Sequence, residues 1–395
     1  MSDAADSRVR VLWLGPVQSE ERMLRGTAAS PAALKWSTGF LDGLAANGAV
    51  IRHVGHEPAR VWPYGPLRVR PPAAQDAVDP VGVPFTNLPG IRFRSMAAGY
   101  AAAVRKAVAE FEPDLLVTYN AESSVGPAAR AAVAAGVPWI PIMMDGDDLG
   151  LDRSWRWMED AVRGSTGVAF LSHWAREHCP FPETFHMDGG IAFRDVPERV
   201  ATAAPSVLYT GTKGPWGGLD LLLDAWERVR HPTARLDLCG PGRHARLAAT
   251  VARDARSGPA ARVADHGVVD EARLRSLTEQ AAVLVNPRPP SFPGNRLNFP
   301  SKLLEYLGTG KPVVTTRTVS LAPEYDEVLV FAAGDSAAGL AEAIDGVLAW
   351  NDDARADYRR RVEAFASRHG DWQAVAGRFL DWAAVLRRAP SPRRG

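Results

Sequence analysis

Val283-Leu-Val-Asn286-Pro-Arg288-Pro-Pro-Ser-Phe-Pro-Gly-Asn-Arg296-Leu-Asn298-Phe-Pro300-Ser301-Lys302-Leu-Leu-Glu305-Tyr-Leu-Gly308-Thr-Gly310-Lys-Pro-Val-Val314 reads as strand, loop, helix and strand. The first run is short, apolar and β-branched, as suits a strand buried on both faces. Pro300 blocks helix upstream, and Ser301 is a good N-cap. Leu303, Leu304 and Leu307 supply a buried stripe, and Gly308 or Gly310 ends the helix. A strand that leads through a helix into the next strand is the repeating unit of a doubly wound parallel sheet.

The chemistry of the segment follows from its order. A helix N-terminus offers unpaired amides and about half a positive charge, which suits a diphosphate. Lys302 stands at that end. Arg288 leaves the strand into the same crevice, where its fork matches phosphate oxygens. Glu305 lies one turn along, a rise of about 5.4 Å, where it can accept hydrogen bonds from ribose hydroxyls. Taken alone, Lys302 and Glu305 also fit a plain i,i+3 ion pair, the commoner meaning of that spacing.

Outward from this segment, short apolar runs alternate with helical patterns along the chain, which predicts two doubly wound α/β halves. In the first half, strands are expected near residues 10–14, 115–119, 139–144 and 168–171. Trp36, Phe40 and Leu44 mark one face of a helix that Gly48 ends. In the second half, strands are expected at 207–210, 235–239, 262–265, 283–286 and 312–315, with helices at 219–230 and 271–281. The polar, proline-bearing stretch 194–205 reads as the linker. This gives an N-terminal domain over 1–196, a C-terminal domain over 197–370, and a final helix and tail over 371–395. Between Gly55 and Gly90 periodicity gives way to a Pro- and Gly-rich stretch. Its Trp62, Tyr64 and Phe85 fit either an acceptor-facing loop or one packed down.

The string from Asn286-Pro-Arg288 through Phe299-Pro-Ser-Lys302-Leu-Leu-Glu305 to Val314 resembles the donor-site signature of the family-four retaining glycosyltransferases, in a bacterial subgroup. The resemblance implies the GT-B fold: two Rossmann-like domains facing across a cleft, with a C-terminal helix that returns to the N-terminal domain. Residues 372–386, with Phe379, Trp382 and Leu386 on one stripe, fit that helix. It also implies that Glu305 is the second glutamate of the family's E-x7-E motif and binds the donor ribose. The first glutamate is missing, and Asn298 is taken to fill its place beside the transferred sugar. The glycine-rich turn Gly211-Thr-Lys213-Gly-Pro-Trp-Gly217-Gly-Leu219 resembles the family's phosphate-facing turn. Thr212 and Gly217 stand where many relatives carry an arginine and a lysine. Lys213, with Arg288 and Lys302, is expected to supply the missing charge, because a buried diphosphate without cations is costly. The donor-binding set is therefore Gly15, Gly211, Lys213, Arg288, Asn298, Ser301, Lys302 and Glu305.

On the N-terminal side, loops at strand ends nominate Gly15-Pro16, Tyr119-Asn120-Ala-Glu122, Asp145-Gly-Asp147-Asp148 and Ser172-His173. Asn120, Asp145 and His173 are the catalytic candidates. Asp145-Gly-Asp147 imitates a metal-binding DxD, yet the resemblance is to a fold that normally works without a divalent cation, so no metal and no cofactor is expected. The mechanism implied is front-face displacement with retention, the leaving diphosphate helping to deprotonate the acceptor. A sugar-nucleotide 2-epimerase and a silent nucleotide-sugar-binding partner protein are the alternatives on the same fold.

Composition narrows the field. The 395 residues carry 46 basic and 45 acidic side chains, a formal net charge of +1, so no global field draws in nucleic acid. Cys179 and Cys239 make neither a disulfide framework nor a zinc spacing, which fits a reducing cytoplasm. The apolar run at 9–14 is too short for a signal or a membrane span. The Arg-rich tail reads as a solvated end, with weak membrane association as the alternative. The expected partners are a nucleotide-sugar donor and a small-molecule, lipid-linked or glycan acceptor, with oligomeric state left open.

Overall fold

The computed structural model describes residues 8–17, 31–70, 81–121, 123–144, 156, 158–194 and 204–388. The chain divides into two compact units, one of Met1–Gly190 with Trp372–Gly395 and one of Ile191–Asp371. Most of the stretch expected as the linker lies outside the described residues, as do Glu122, Asp145, Asp147 and Asp148.

The first unit holds strands β1 (Arg10–Leu14), β2 (Val50–Gly55), β3 (Arg68–Val69), β4 (Val81–Gly82), β5 (Phe85–Thr86), β6 (Leu115–Tyr119), β7 (Trp139–Met143), β8 (Val168–Phe170) and β9 (Thr184–His186). Seven of them form a parallel sheet in the order β4-β2-β1-β6-β7-β8-β9, while β3 and β5 pair as a small antiparallel ribbon. Val11, Leu12, Trp13, Leu14, Leu115, Leu116 and Val117 are all fully buried, the mark of strands covered on both faces. Helices α1 (Pro31–Ala46), α2 (Arg92–Phe111), α3 (Gly126–Ala134) and α4 (His173–His178) belong to the same unit. In α1, Trp36, Phe40 and Leu44 are buried, and Gly48 leaves the helix with φ 82°, a backbone angle that glycine adopts without strain.

The second unit carries α5 (Leu219–Trp226), α6 (Ala245–Asp254), α7 (Glu271–Gln280), α8 (Lys302–Leu307), α9 (Ala337–Leu348) and α10 (Asp352–His369). They cover a six-stranded parallel sheet of β10 (Ser206–Thr210), β11 (Arg235–Cys239), β12 (Val263–Asp265), β13 (Ala281–Asn286), β14 (Val313–Thr315) and β15 (Val330–Phe331). The order is β12-β11-β10-β13-β14-β15, so the strand sequence reverses between β10 and β13. That reversal opens a crevice outside the carboxyl ends of those two strands, where ligands of doubly wound sheets bind.

The last helix, α11 (Trp372–Arg388), belongs to the first unit. It lies against α1: Phe379 meets Phe40 edge to face at 5.2 Å, and Trp372 meets Trp36 at 5.4 Å. Gly39 and Gly43 make the approach possible, since a Cβ on Gly43 would stand 2.2 Å from the Trp372 carbonyl oxygen. Arg387 at its end pairs with Asp114 at 3.0 Å.

Candidate functional site

Two loops border the β10/β13 crevice. The first begins at Gly211, whose φ of 141° excludes most side chains, and closes at Gly218 with φ 76°, which starts α5. A Cβ on Gly218 would fall 1.7 Å from the Pro287 carbonyl oxygen, so the glycine lets this turn touch the second loop. Tyr209 shapes the turn from beneath, its hydroxyl donating to the Thr212 carbonyl at 2.9 Å. The second loop runs from Pro287 to Pro300 and is anchored by Asn295, whose amide donates to the Pro289 carbonyl at 2.8 Å.

Helix α8 is bolted to the end of β10. The Thr210 amide donates to the Tyr306 hydroxyl at 2.9 Å, and the Thr210 side chain lies 2.9 Å from that same oxygen. Burial pushes the Tyr306 hydroxyl pKa well up, so it stays protonated. This bolt carries Lys302 to the glycine turn. Its Nζ sits 4.3 Å from the centre of the Tyr209 ring, and a Cβ on Gly211 would be 2.8 Å from the same nitrogen. Lys302 has its pKa pushed down to about 7, first by burial and then by the Arg288 charge, with Glu305 opposing. Arg288 donates from Nη1 to the Asn298 carbonyl at 2.9 Å, which ties the two ends of its loop together. Gly211, Arg288, Asn298, Ser301, Lys302 and Glu305 thus gather around one crevice, and Glu305 is exposed.

Several expectations need correction. Ser301 does not cap α8: its backbone is already helical, with φ −52° and ψ −25°, and its side chain makes no capping bond. The Leu303 amide already donates to the Pro300 carbonyl at 2.9 Å, which draws Ser301 into the first turn. The helix has only six residues, so few peptide dipoles add up, and Lys302 and Arg288 supply the main positive charge. Lys213 is buried and gives its ammonium to Asp265 at 2.6 Å, and that carboxylate also accepts from the Gly267 amide at 2.9 Å. Its charge is therefore matched within the protein instead of standing open to a ligand. The E-x7-E spacing places the first glutamate at Leu297, which is buried; Asn298 is the adjacent, half-buried polar residue.

In the first unit, Gly15 follows β1 at the corresponding reversal between β1 and β6. It packs tightly, since a Cβ there would be 2.8 Å from the Trp13 indole nitrogen and 3.1 Å from the Tyr119 Cβ. Asn120 has φ 58°, and its side-chain oxygen accepts from the Met144 amide at 2.7 Å, clamping the ends of β6 and β7. His173 opens α4, half-buried, its ring edge to face with His186 at 5.6 Å. Sequence reasoning passed over His53 and His56 at the end of β2. His53 Nε2 lies 3.2 Å from the Gly15 carbonyl oxygen, and His56 Nδ1 lies 2.8 Å from the Tyr100 hydroxyl. Their signal was absent because β2 was not read as a strand.

Residues 204–349 match the family model described as "Glycosyl transferases group 1". No curated protein sequence matches the chain. Among solved structures, sucrose-phosphate synthase from Thermosynechococcus elongatus superposes with a TM-score of 0.67 at 17% identity, over 96% of this chain and 99% of the other. Anabaena HepE in complex with UDP gives 0.66 at 15%, over 95% and 100%. A UDP-forming alpha,alpha-trehalose-phosphate synthase from Burkholderia xenovorans gives 0.67 at 13%, over 97% and 100%. The chain has the GT-B fold, and the group 1 glycosyltransferase model matches within its second unit. No helix among the described residues is long and apolar enough to cross a membrane.

Proposed function

We propose that this chain is a nucleotide-sugar-dependent glycosyltransferase whose second unit holds the donor in the β10/β13 crevice. The observation that carries the reading is the position of Lys302, a cation held over the glycine turn with Arg288 beside it. Two like charges in a partly buried place repel each other and are relieved by an anion. A diphosphate along the turn at Gly211 meets both. Ribose hydroxyls then reach the exposed carboxylate of Glu305, and the transferred sugar lies toward Asn298. The UDP named with the HepE structure makes a uridine diphosphate sugar the first donor to test.

The reaction proceeds with retention. Lys302 and Arg288 hold the charge that collects on the departing diphosphate, and a donor phosphate oxygen takes the acceptor proton on the same face. No metal is required, so a chelator leaves turnover unchanged. The first unit takes the acceptor, and Asn120, Asp145 and His173 are its candidate catalytic residues, with Gly15 a further binding candidate of that unit. Asn120 acts through its clamp on Met144. The enzyme works in the cytoplasm.

Incubation with a panel of nucleotide sugars, with and without acceptors, tests the reading. Nucleotide release that rises with acceptor supports transfer. Isomerised donor would mean a 2-epimerase, and tight binding without turnover a silent partner protein.

A further inference from the structure

The first unit carries a surface that donor chemistry does not use. Residues 60–67 and 87–94 form two loops ahead of and within the start of α2, and Asn87 clasps them. Its side-chain amide donates to the carbonyls of Arg60 at 2.7 Å and Pro66 at 2.9 Å. Its backbone amide donates to the Leu67 carbonyl at 2.8 Å, and its carbonyl accepts from the Trp62 amide at 3.1 Å. Asn87 is fully buried, and Ala59, Val69, Phe85 and Met96 form a small core beneath. The two loops are therefore one preformed platform.

That platform exposes what a folded protein normally hides. Trp62 is 45% exposed, Tyr64 85% and Phe93 55%, with Val61, Leu67 and Ile91 exposed around them. Of the eleven large apolar side chains exposed among the described residues, seven fall between Val61 and Phe93, so they are concentrated in place of being scattered singly. Arginines are interleaved with them: Arg60, Arg68, Arg70 and Arg94 are exposed, and Arg92 lies over the Phe85 ring at 5.6 Å. The described residues between 58 and 100 include no aspartate or glutamate; Asp76 and Asp79 lie outside the described residues. Five arginines against two aspartates over residues 58–100 make this stretch net positive in a chain whose net charge is only +1. Arg68 in β3 and Arg70 just past it line a depression of about 290 Å³ with Thr86 and Ser95.

We propose that this face docks on an anionic phospholipid bilayer. Trp62, Tyr64 and Phe93 settle among the headgroups, and the arginines meet lipid phosphates, one of them in the Arg68–Arg70 depression. Aromatic side chains that are amphipathic or flat, set beside arginines with no acids among the described residues of the stretch, suit the membrane interface. Protein interfaces share the enrichment in aromatics and arginine, and the dependence on anionic lipid separates the two. The proposal does not rest on the donor reading, and its test contains no nucleotide.

The full chain is sedimented with vesicles of phosphatidylcholine alone or with roughly one third phosphatidylglycerol, where each added arginine contact strengthens attraction. Binding to the anionic vesicles is expected, about tenfold weaker on neutral ones, and lost near 1 M salt, where the Debye length is about 3 Å. Trp62→Ser with Phe93→Ser, and separately Arg68→Glu with Arg94→Glu, are each expected to lower binding about tenfold at an unchanged melting temperature. Arg388→Glu at the far end of α11 is expected to bind as the wild type does. Equal binding to both vesicle types, no binding to either, or charge-reversed protein that binds anionic vesicles fully would overturn the proposal. So would self-association without lipid that the same substitutions abolish.

Discussion

Lys302 stands over Tyr209, its Nζ 4.3 Å from the ring centre. An aromatic face attracts a cation yet gives back less than water does, and Arg288 adds a second positive charge. The lysine is thus held at a pKa of about 7, close to neutrality and ready to gain a proton when an anion arrives.

In the proposed donor site, that position is expected to set the pH dependence of binding. A lysine lowered from 10.5 to about 7 is charged in the free protein below that pH and neutral above it. A bound diphosphate favours the charged form, so binding above about pH 7 must take up a proton. Affinity for a nucleotide sugar is expected to be level between about pH 6 and 7 and to fall by up to about tenfold per unit above. Titration calorimetry over this range checks it. Lys302→Arg, which stays charged, is expected to remove the slope, and an unchanged slope in that variant would assign it to another group.

Arg288→Ala and Glu305→Ala separate the two halves of the donor. Removing Arg288 takes away a charged contact and frees the Asn298 carbonyl, for an expected loss of about 10- to 100-fold in donor affinity, or about 1.4–2.8 kcal/mol. Glu305 is exposed, so its removal leaves the melting temperature within about 1–2 °C while weakening nucleotide sugars more than inorganic diphosphate. Binding assays with both ligands read the difference.

Much of the second unit was legible because β10, β11 and β13 each run straight into a glycine or proline, Gly211, Gly240 and Pro287. The loop and helix after β13 carried enough turn chemistry to be placed almost residue by residue. What escaped was long-range. Tyr306 reads as one more apolar residue of a helix, and only the fold shows its hydroxyl on Thr210. Lys213 reads as a phosphate-facing cation of the turn, and Asp265, far along the chain, takes its charge. The ribbon of β3 and β5 is two residues a side, too short for any period to register.

The packing of α11 on α1 predicts a sharp cost at one glycine. Gly43→Ala would press its Cβ to 2.2 Å from the Trp372 carbonyl oxygen, a backbone atom that cannot rotate away. Overpacking of this kind costs about 1–3 kcal/mol, and about 2–4 °C of melting temperature goes with each kcal/mol. Gly346→Ala in α9 meets nothing within 4 Å and is expected to be neutral or slightly stabilising. Paired melting curves of the two variants distinguish local crowding from general intolerance.

His53 and His56 make the first unit acid-labile. Burial lowers both to about 4 from 6.5, and Arg92 adds to the shift at His56. The folded state therefore keeps them neutral where the unfolded chain binds protons. Stability is level above about pH 6.5 and falls as pH drops toward 4, by up to roughly 1.4 kcal/mol per unit for each histidine. Melting temperatures across that window are expected to decline, and to decline less steeply in His56→Gln.

A crystal structure of the full chain with a bound uridine diphosphate sugar decides where the donor sits. The diphosphate is expected along the turn at Gly211, within hydrogen-bond reach of Lys302 and Arg288, with ribose hydroxyls on Glu305. A nucleotide sugar lodged elsewhere on the protein, with those three side chains left untouched, would contradict the reading and remove the basis for the mechanism.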